Sequence, residues 1–191
     1  METMKTRIES DLIGAREIPM ECKYGVQTLR AIDNFPITGI GINRYPNIVK
    51  YLGVIKKAAA VANYETGKIS KEIYEGIVKA CDDVIAGKYN DQFPVDVIQG
   101  GAGTSTNMNA NEVIANVALE YMGHQPGQYE FCSPNDHVNG SQSTNDAYPC
   151  AVHLAMYADH LEMVKHLDML IESLEKKAEE YKNIIKMGRT Q

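Results

Sequence analysis

The sequence predicts a mainly α fold with a small β element near the N-terminus. Two patterns support this prediction. Three segments carry apolar residues at spacings of three and four between Gly and Pro breaks, and residues 149–182 form a longer segment of the same kind. With 44% apolar residues among 191, the chain can bury a core. We therefore expect an N-terminal helical domain over residues 1–144 and, over residues 145–191, the first long helix of a helical-bundle domain.

The N-terminal residues 1–25 combine short apolar patches with Gly14 and Pro19, which is typical of a small hairpin or an irregular arm. A short helical pattern follows over residues 26–34. It ends there because Pro36 disfavours helical backbone at the residue before it.

Three amphipathic helices are predicted next. The first covers residues 46–67, with Pro46 in its first turn, and the second covers residues 70–87, with Ser70 as a plausible N-cap. The third follows a glycine-rich turn and covers residues 105–122.

The last helical pattern, over residues 149–182, is unusually long, because its 34 residues would form a rod of roughly 50 Å. Glu172 and Lys176 form a favourable i, i+4 pair on it. Its apolar stripe needs partners, yet only nine residues follow. We expect both that this face is buried in an oligomeric bundle and that the chain is a piece of a longer protein.

Composition argues against several classes of protein. The net charge of −6 and the lack of a Lys/Arg-rich run disfavour nucleic acid or an anionic membrane as a partner. The N-terminus lacks the apolar core of a signal peptide. The four cysteines are far apart, and the histidines of the long helix are separated by seven and six residues, so neither a disulfide framework nor a metal site is predicted. We expect a cytoplasmic protein without metal-ligating residues in this chain.

One candidate site lies in the polar stretch 133–149, where Ser143, Thr144 and Asn145 come directly before a long helix. Small polar residues cap helices at this position, and the free N–H groups of a helix start attract anions. The residues alone favour a loop with an N-cap. His137, in the same stretch, is interpreted as ordering the loop in preference to donating a proton.

A second candidate site is the glycine-rich segment 99–113, with Thr104 at the start of a helix. A phosphate-binding loop is disfavoured because no Lys follows the glycines. A glycine C-cap followed by a Thr104 N-cap is the simpler interpretation. If each of the two helix starts held one carboxylate, the pair would suit a small dicarboxylate. A weaker third candidate is the terminal run 187–191, which contains a cation, a hydroxyl and an amide.

These motifs closely resemble the fumarase/aspartase superfamily. The resemblance includes the run Gly-Gly-Ala-Gly-Thr-Ser-Thr-Asn-Met-Asn from Gly100 and the run Ser-Thr-Asn-Asp-Ala-Tyr-Pro from Ser143. The similar segments follow in order over nearly the whole chain: residues 11–17, 24–35, 91–97, 100–113, 134–139, 143–149 and 186–191. Within the superfamily, Thr144 and Gln191 favour the aspartate ammonia-lyases, since fumarases usually have Ser and His there.

The resemblance implies reversible elimination of ammonia from L-aspartate to give fumarate, without an organic cofactor. It also implies a homotetramer whose sites are assembled from several subunits. The implied catalytic serine base lies beyond Gln191, so we expect the isolated 191-residue chain to be inactive. The implied substrate-binding residues are Thr104, Ser143, Thr144, Asn145 and Thr190.

Several alternatives remain open at the level of sequence. Class II fumarate hydratase is the close alternative, and a non-catalytic helical binding module is the distant one. Arg30 either supplies a cation to the site or forms an ion pair on a helix surface, whereas Arg189 is expected to anchor a turn.

Overall fold

The computed structural model describes residues 5–188, and it divides into two compact units with the boundary between Ala155 and Met156. The mainly α fold with a small β element is confirmed. The expected boundary between residues 144 and 145 refers to domains of a longer protein and stays a prediction. No helix within residues 5–188 has both the length and the apolar character needed to cross a bilayer.

Of the two structures predicted for the N-terminal residues, a hairpin or an irregular arm, the hairpin is present. Strands β1 (Thr6–Asp11) and β2 (Gly14–Pro19) pair antiparallel, with Asp11 opposite Gly14. Its side chains are placed unusually, because Arg7 and Glu9 are buried while Ile8 of the same strand is 73% exposed. The Arg7 Nε atom donates to Glu9 Oε1 over 2.8 Å, so the two buried charges form a pair.

Helix α1 (Val26–Asn34) is capped by a distant carboxylate. The residue before it is Gly25, which has no side chain to cap the helix. Glu112, only 1% exposed, accepts hydrogen bonds from the amides of Gly25, Gln27 and Thr28 and from the Thr28 hydroxyl, at 2.6–3.0 Å. Burial raises the pKa of Glu112, and these four hydrogen bonds oppose that rise. The carboxylate therefore ties α1 to a helix more than eighty residues away in sequence.

Helices α2 (Pro46–Glu65) and α3 (Lys71–Ile85) lie within the predicted ranges and pack against each other. Pro46 occupies the first turn of α2, as expected. The Ser70 side chain accepts a hydrogen bond from the Ile73 amide over 3.3 Å, which confirms the predicted N-cap of α3.

Helix α4 (Thr104–Tyr121) forms the centre of the first unit and packs against α1, α2 and α3. Every residue from position 106 to position 119 is buried, so the helix has no solvent-facing side over that length. Each large aliphatic side chain buried here stabilises the fold by about 1.5–3 kcal/mol. The core around α4 includes Leu52, Ile77, Ala80, Val84, Val113, Ile114 and Val117.

Helix α5 (Thr144–Tyr181) begins five residues earlier than the predicted range and contains Pro149 in its second turn. An interior proline removes one N–H donor, and its ring crowds the carbonyl four residues earlier, yet the helix continues past Pro149. The small residues Ala147, Ala151 and Ala155 are buried in the first unit.

The second unit consists of residues 156–188 as far as the structure describes it. Lys176 pairs with Glu172 over 2.7 Å, as predicted. The apolar side chains along this part of α5 are exposed to solvent, at half or more of their surface for most of them: Tyr157, Leu161, Met163, Leu167, Leu170, Ile171 and Leu174. The stripe that the periodicity predicts is therefore present and is exposed in the single chain.

Candidate functional site

The start of α5 has the predicted cap. The carbonyl oxygen of Ser143 accepts the amides of Asp146 and Ala147, each at 3.0 Å, and the Ser143 Oγ atom accepts the amide of Asn145 at 3.2 Å. Ser143 and Asn145 are exposed, and Thr144 is half-buried. Since Ser143 Oγ acts as an acceptor here, its hydroxyl proton is available to a ligand.

The start of α4 differs in detail from the prediction. The capping residue is Gly103, in left-handed backbone with φ of 88°, and Thr104 is the first residue of the helix. The Thr106 amide is occupied by Gln99 Oε1 at 2.9 Å, and Gln99 Nε2 donates to Thr106 Oγ1 at 2.6 Å. The amides of Thr104 and Ser105 have no intrahelical acceptor, because they belong to the first turn. Thr104 itself is exposed.

These two helix starts lie beside each other. Asn107, one turn into α4, donates from Nδ2 to Thr144 Oγ1 over 3.1 Å. Tyr148, in the second turn of α5, packs so closely on Gly103 that a Cβ there would overlap its ring. The structure thus brings Thr104 together with the 143–145 segment, although nearly forty residues separate them in sequence.

His137 orders the loop before α5, in line with the interpretation favoured from the sequence. The loop forms a wide helical turn over Pro134–Val138, in which the Ser133 amide donates to His137 Nδ1 over 2.9 Å. The Ser133 Oγ atom accepts the Asp136 amide at 3.1 Å. Both contacts are local, so their effect is to fix the path of the chain towards Ser143.

Sequence reasoning missed Lys56 of α2. Its side chain is fully buried, and Nζ donates to Asn139 Oδ1 at 2.9 Å and to Gln142 Oε1 at 3.0 Å. Burial lowers the pKa of Lys56 to about 7. A signal existed, since Lys56 follows Val49 and Leu52 of the buried face at spacings of seven and four.

Arg30 is engaged elsewhere. Its Nε and one terminal nitrogen each contact the carboxylate of Asp11 at 2.8 Å, and it also donates to the carbonyl oxygen of Gly14. The Arg30 hydrogen bond lowers the pKa of Asp11 to about 2. Arg30 therefore forms an ion pair, which is one of its two interpretations from the sequence. Thr190, Arg189 and Gln191 lie outside the described residues.

Thr104, Ser143 and Asn145 are exposed to solvent. A cleft of about 820 Å³ lies between the hairpin, α1 and the turn before α5, and its lining includes Asp11, Arg30, Tyr129 and Ser133. Neither Thr104 nor residues 143–145 line that cleft. Within residues 5–188, no group of three or more His, Cys, Asp or Glu side chains is arranged to hold a metal ion.

Comparison with known proteins identifies the family to which the chain belongs. The model of the Lyase family matches residues 14–191. Aspartate ammonia-lyase of Helicobacter pylori (strain J99) is 56% identical over 97% of this chain, and that of Escherichia coli (strain K12) is 54% identical over 97%. The chain spans about 40% of the length of these relatives.

Solved structures agree with these matches. A fumarate lyase:delta crystallin from Brucella melitensis, bound to cobalt, superposes with a TM-score of 0.92 at 51% identity, covering 98% of this chain and 41% of that one. A recombinant class II fumarase from Schistosoma mansoni superposes with a TM-score of 0.83 at 37% identity, covering 97% of this chain and 39% of that one.

Proposed function

Because the chain belongs to the fumarase/aspartase family of lyases, we propose that the full-length protein is an aspartate ammonia-lyase. It removes ammonia reversibly from L-aspartate to give fumarate, without an organic cofactor. The identities of 52–56% to curated aspartate ammonia-lyases support the choice of reaction within the family.

The observation that carries this proposal is the meeting of the two helix starts. A dicarboxylate needs two groups of donors a few ångströms apart, and the Asn107–Thr144 contact holds the start of α5 against α4. We assign one carboxylate to Thr104 and the first amides of α4, and the other to Ser143, Thr144 and Asn145. Hydroxyls and helix-start amides bind anions without a full positive charge, which suits a chain with a net charge of −6. Thr190 is proposed to complete the site.

The reaction places new charge where these donors lie. A base removes a proton from the carbon beside one carboxylate, and that carboxylate becomes a doubly charged aci-carboxylate. The electron pair then forms the carbon–carbon double bond as ammonia leaves. Preorganised donors stabilise the intermediate where its charge develops. The base is proposed to be a serine of the longer protein, on a segment that follows Gln191.

The oligomer proposed for the full-length protein is a homotetramer. The exposed apolar side chains of α5 between Tyr157 and Leu174 would be covered by helices of the assembly. We propose a cytoplasmic location and no nucleic-acid or membrane partner, in keeping with the acidic composition.

The test of the activity measures turnover of L-aspartate by the full-length protein, followed through the ultraviolet absorbance of fumarate.

The test of the site measures fumarate binding. Thr104→Ala and Ser143→Ala should each weaken fumarate binding by about 10- to 100-fold, since a hydrogen bond to a charged group contributes about 1.5–3 kcal/mol. Thr66→Ala and Ser173→Ala are matched controls, because these hydroxyls donate to carbonyl oxygens of their own helices. The 191-residue chain alone should bind fumarate weakly and form none from aspartate.

The similarity to class II fumarase supports a second candidate, fumarate hydratase. Turnover of malate in preference to aspartate by the full-length protein would select it. If the full-length protein binds neither fumarate nor aspartate, both enzymatic proposals fail and a helical binding module is the remaining interpretation.

A further inference from the structure

Lys56 is a buried cation with only neutral acceptors. Among residues 5–188, the acceptors of its Nζ atom are the side-chain oxygens of Asn139 and Gln142, and no carboxylate pairs with it. Burying an ammonium without a counter-charge costs several kcal/mol, while an apolar side chain of the same length would fill this space without that cost. Packing alone therefore does not account for a lysine here.

The Lys56 ammonium determines the orientation of the Asn139 side-chain amide. A lysine ammonium only donates, so the amide of Asn139 must turn its Oδ1 towards it. The opposite end, Nδ2, then donates to the carbonyl oxygen of Gln142 at 3.2 Å. The same Oδ1 also accepts from Asn107 Nδ2 over 3.1 Å.

The observed orientation of the Asn107 side-chain amide leaves one of its atoms without a hydrogen bond among the described residues. Its Oδ1 is buried and finds no donor within residues 5–188, which costs about 1–3 kcal/mol. The reversed amide would place Asn107 Oδ1 against Asn139 Oδ1, which Lys56 keeps in position. Two facing oxygens would repel each other, so the hydrogen bond that Lys56 Nζ donates to Asn139 Oδ1 favours the observed orientation of Asn107.

The chain of contacts ends at the proposed site. Asn107 Nδ2 also donates to Thr144 Oγ1, at 3.1 Å. A hydroxyl that accepts a hydrogen bond still has its own proton to donate. We propose that Lys56 is a positioning residue for Thr144, which it acts on through Asn139 and Asn107, so that the Thr144 hydroxyl donates its proton to a substrate carboxylate. This inference rests on the proposed function.

The first measurement compares fumarate affinity in the full-length protein before and after Lys56→Met. The dissociation constant should rise about tenfold, because the Thr144 proton is no longer directed to the carboxylate. Lys57→Met is the matched control, since Lys57 is the next residue, has a side chain that is 37% exposed, and pairs with Asp82 over 2.6 Å. It should leave the affinity unchanged.

A double-mutant cycle separates positioning from general structural damage. In a Thr144→Val background, Lys56→Met should change the fumarate dissociation constant by less than about twofold, because the hydroxyl it acts on is gone. An equal loss of affinity in both backgrounds would show that Lys56 acts on the fold alone and would overturn the inference.

Asn107→Leu gives an independent test if Lys56→Met folds poorly. It removes the donor to Thr144 and should also weaken fumarate binding about tenfold, with the same loss of effect in the Thr144→Val background. Unchanged affinity in this variant would overturn the inference. If the unmodified protein does not bind fumarate, the proposed function fails together with this inference. If the unmodified protein binds fumarate and the variants bind it equally well, only the inference about Lys56 fails.

Discussion

At the scale of residues, the main feature of this protein is a set of buried ionisable side chains that form hydrogen bonds and ion pairs. Glu112 caps α1 from across the core, Arg7 and Glu9 pair beneath the hairpin, and Lys56 holds the loop before α5. The hydrogen bonds of Glu112 and Lys56 join segments more than eighty residues apart in sequence, whereas Arg7 and Glu9 lie in the same strand. These residues therefore specify which segments meet, at some cost in stability.

The lowered pKa of Lys56 should make the stability of the protein depend on pH. Its pKa is about 7 in the folded protein and about 10.4 when unfolded, so between these values the unfolded state binds more protons. The free energy of unfolding should therefore rise with pH across this window, by up to about 1.4 kcal/mol per unit from this group. Below the folded pKa the penalty for burying the charge is fully present.

Urea denaturation of the unmodified protein and of Lys56→Met at several pH values measures this effect. The difference in unfolding free energy between the two should rise from about pH 7 to about pH 10. The Cys81 thiol is the titratable group that faces Lys56 from α3, and burial raises its pKa, so it stays neutral over this range. If the unfolding free energies of the two proteins change with pH in parallel, the pKa of Lys56 is not lowered in the folded protein.

At the scale of elements, the junction between α4 and α5 depends on Gly103. Its positive φ and the ring of Tyr148 both exclude a side chain. Gly103→Ala should lower the free energy of unfolding by about 3 kcal/mol, from left-handed backbone strain together with the overlap. Thermal or urea denaturation checks this.

Gly123→Ala separates the two causes. Gly123 has a similar φ of 81°, but no atom lies within 4 Å of the position that a Cβ would occupy, so only backbone strain of about 1 kcal/mol applies. Gly103→Ala should also weaken fumarate binding, while Gly123→Ala should not. Equal effects of the two substitutions would show that the contact with Tyr148 does not matter.

Most elements follow from the sequence because their signals are local. The apolar spacing and the Pro and Gly breaks predict α1 to α4 closely, and Ser70 and Ser143 cap helices as expected. The predicted start of α5 is too late because Pro149 is typical of a first turn, and it lies inside the helix instead.

The parts that sequence reasoning missed depend on tertiary contacts. Nothing local to α4 shows that its asparagines are buried, because Asn109 and Asn116 donate to the carbonyl oxygens of Gln92 and Lys23. Lys56 lies on the apolar face of α2 by its spacing, but its acceptors Asn139 and Gln142 are identified only by the structure. The helix starts at Thr104 and 143–145 can be identified from the sequence, but their proximity requires the structure.

At the scale of the whole molecule, the chain covers about 40% of the length of its curated relatives. Its first unit contains the two helix starts, and its second unit contains exposed apolar side chains of α5. The substrate site that we propose therefore lies in the first unit, and the apolar side chains that we propose to be covered in the oligomer lie in the second.

The most direct test of the two-carboxylate site is a structure of the full-length protein with fumarate bound. We predict one carboxylate within hydrogen-bonding distance of the Thr104 hydroxyl and the first amides of α4, and the other at Ser143, Thr144 and Asn145. Fumarate bound with both carboxylates away from these two helix starts would contradict this assignment.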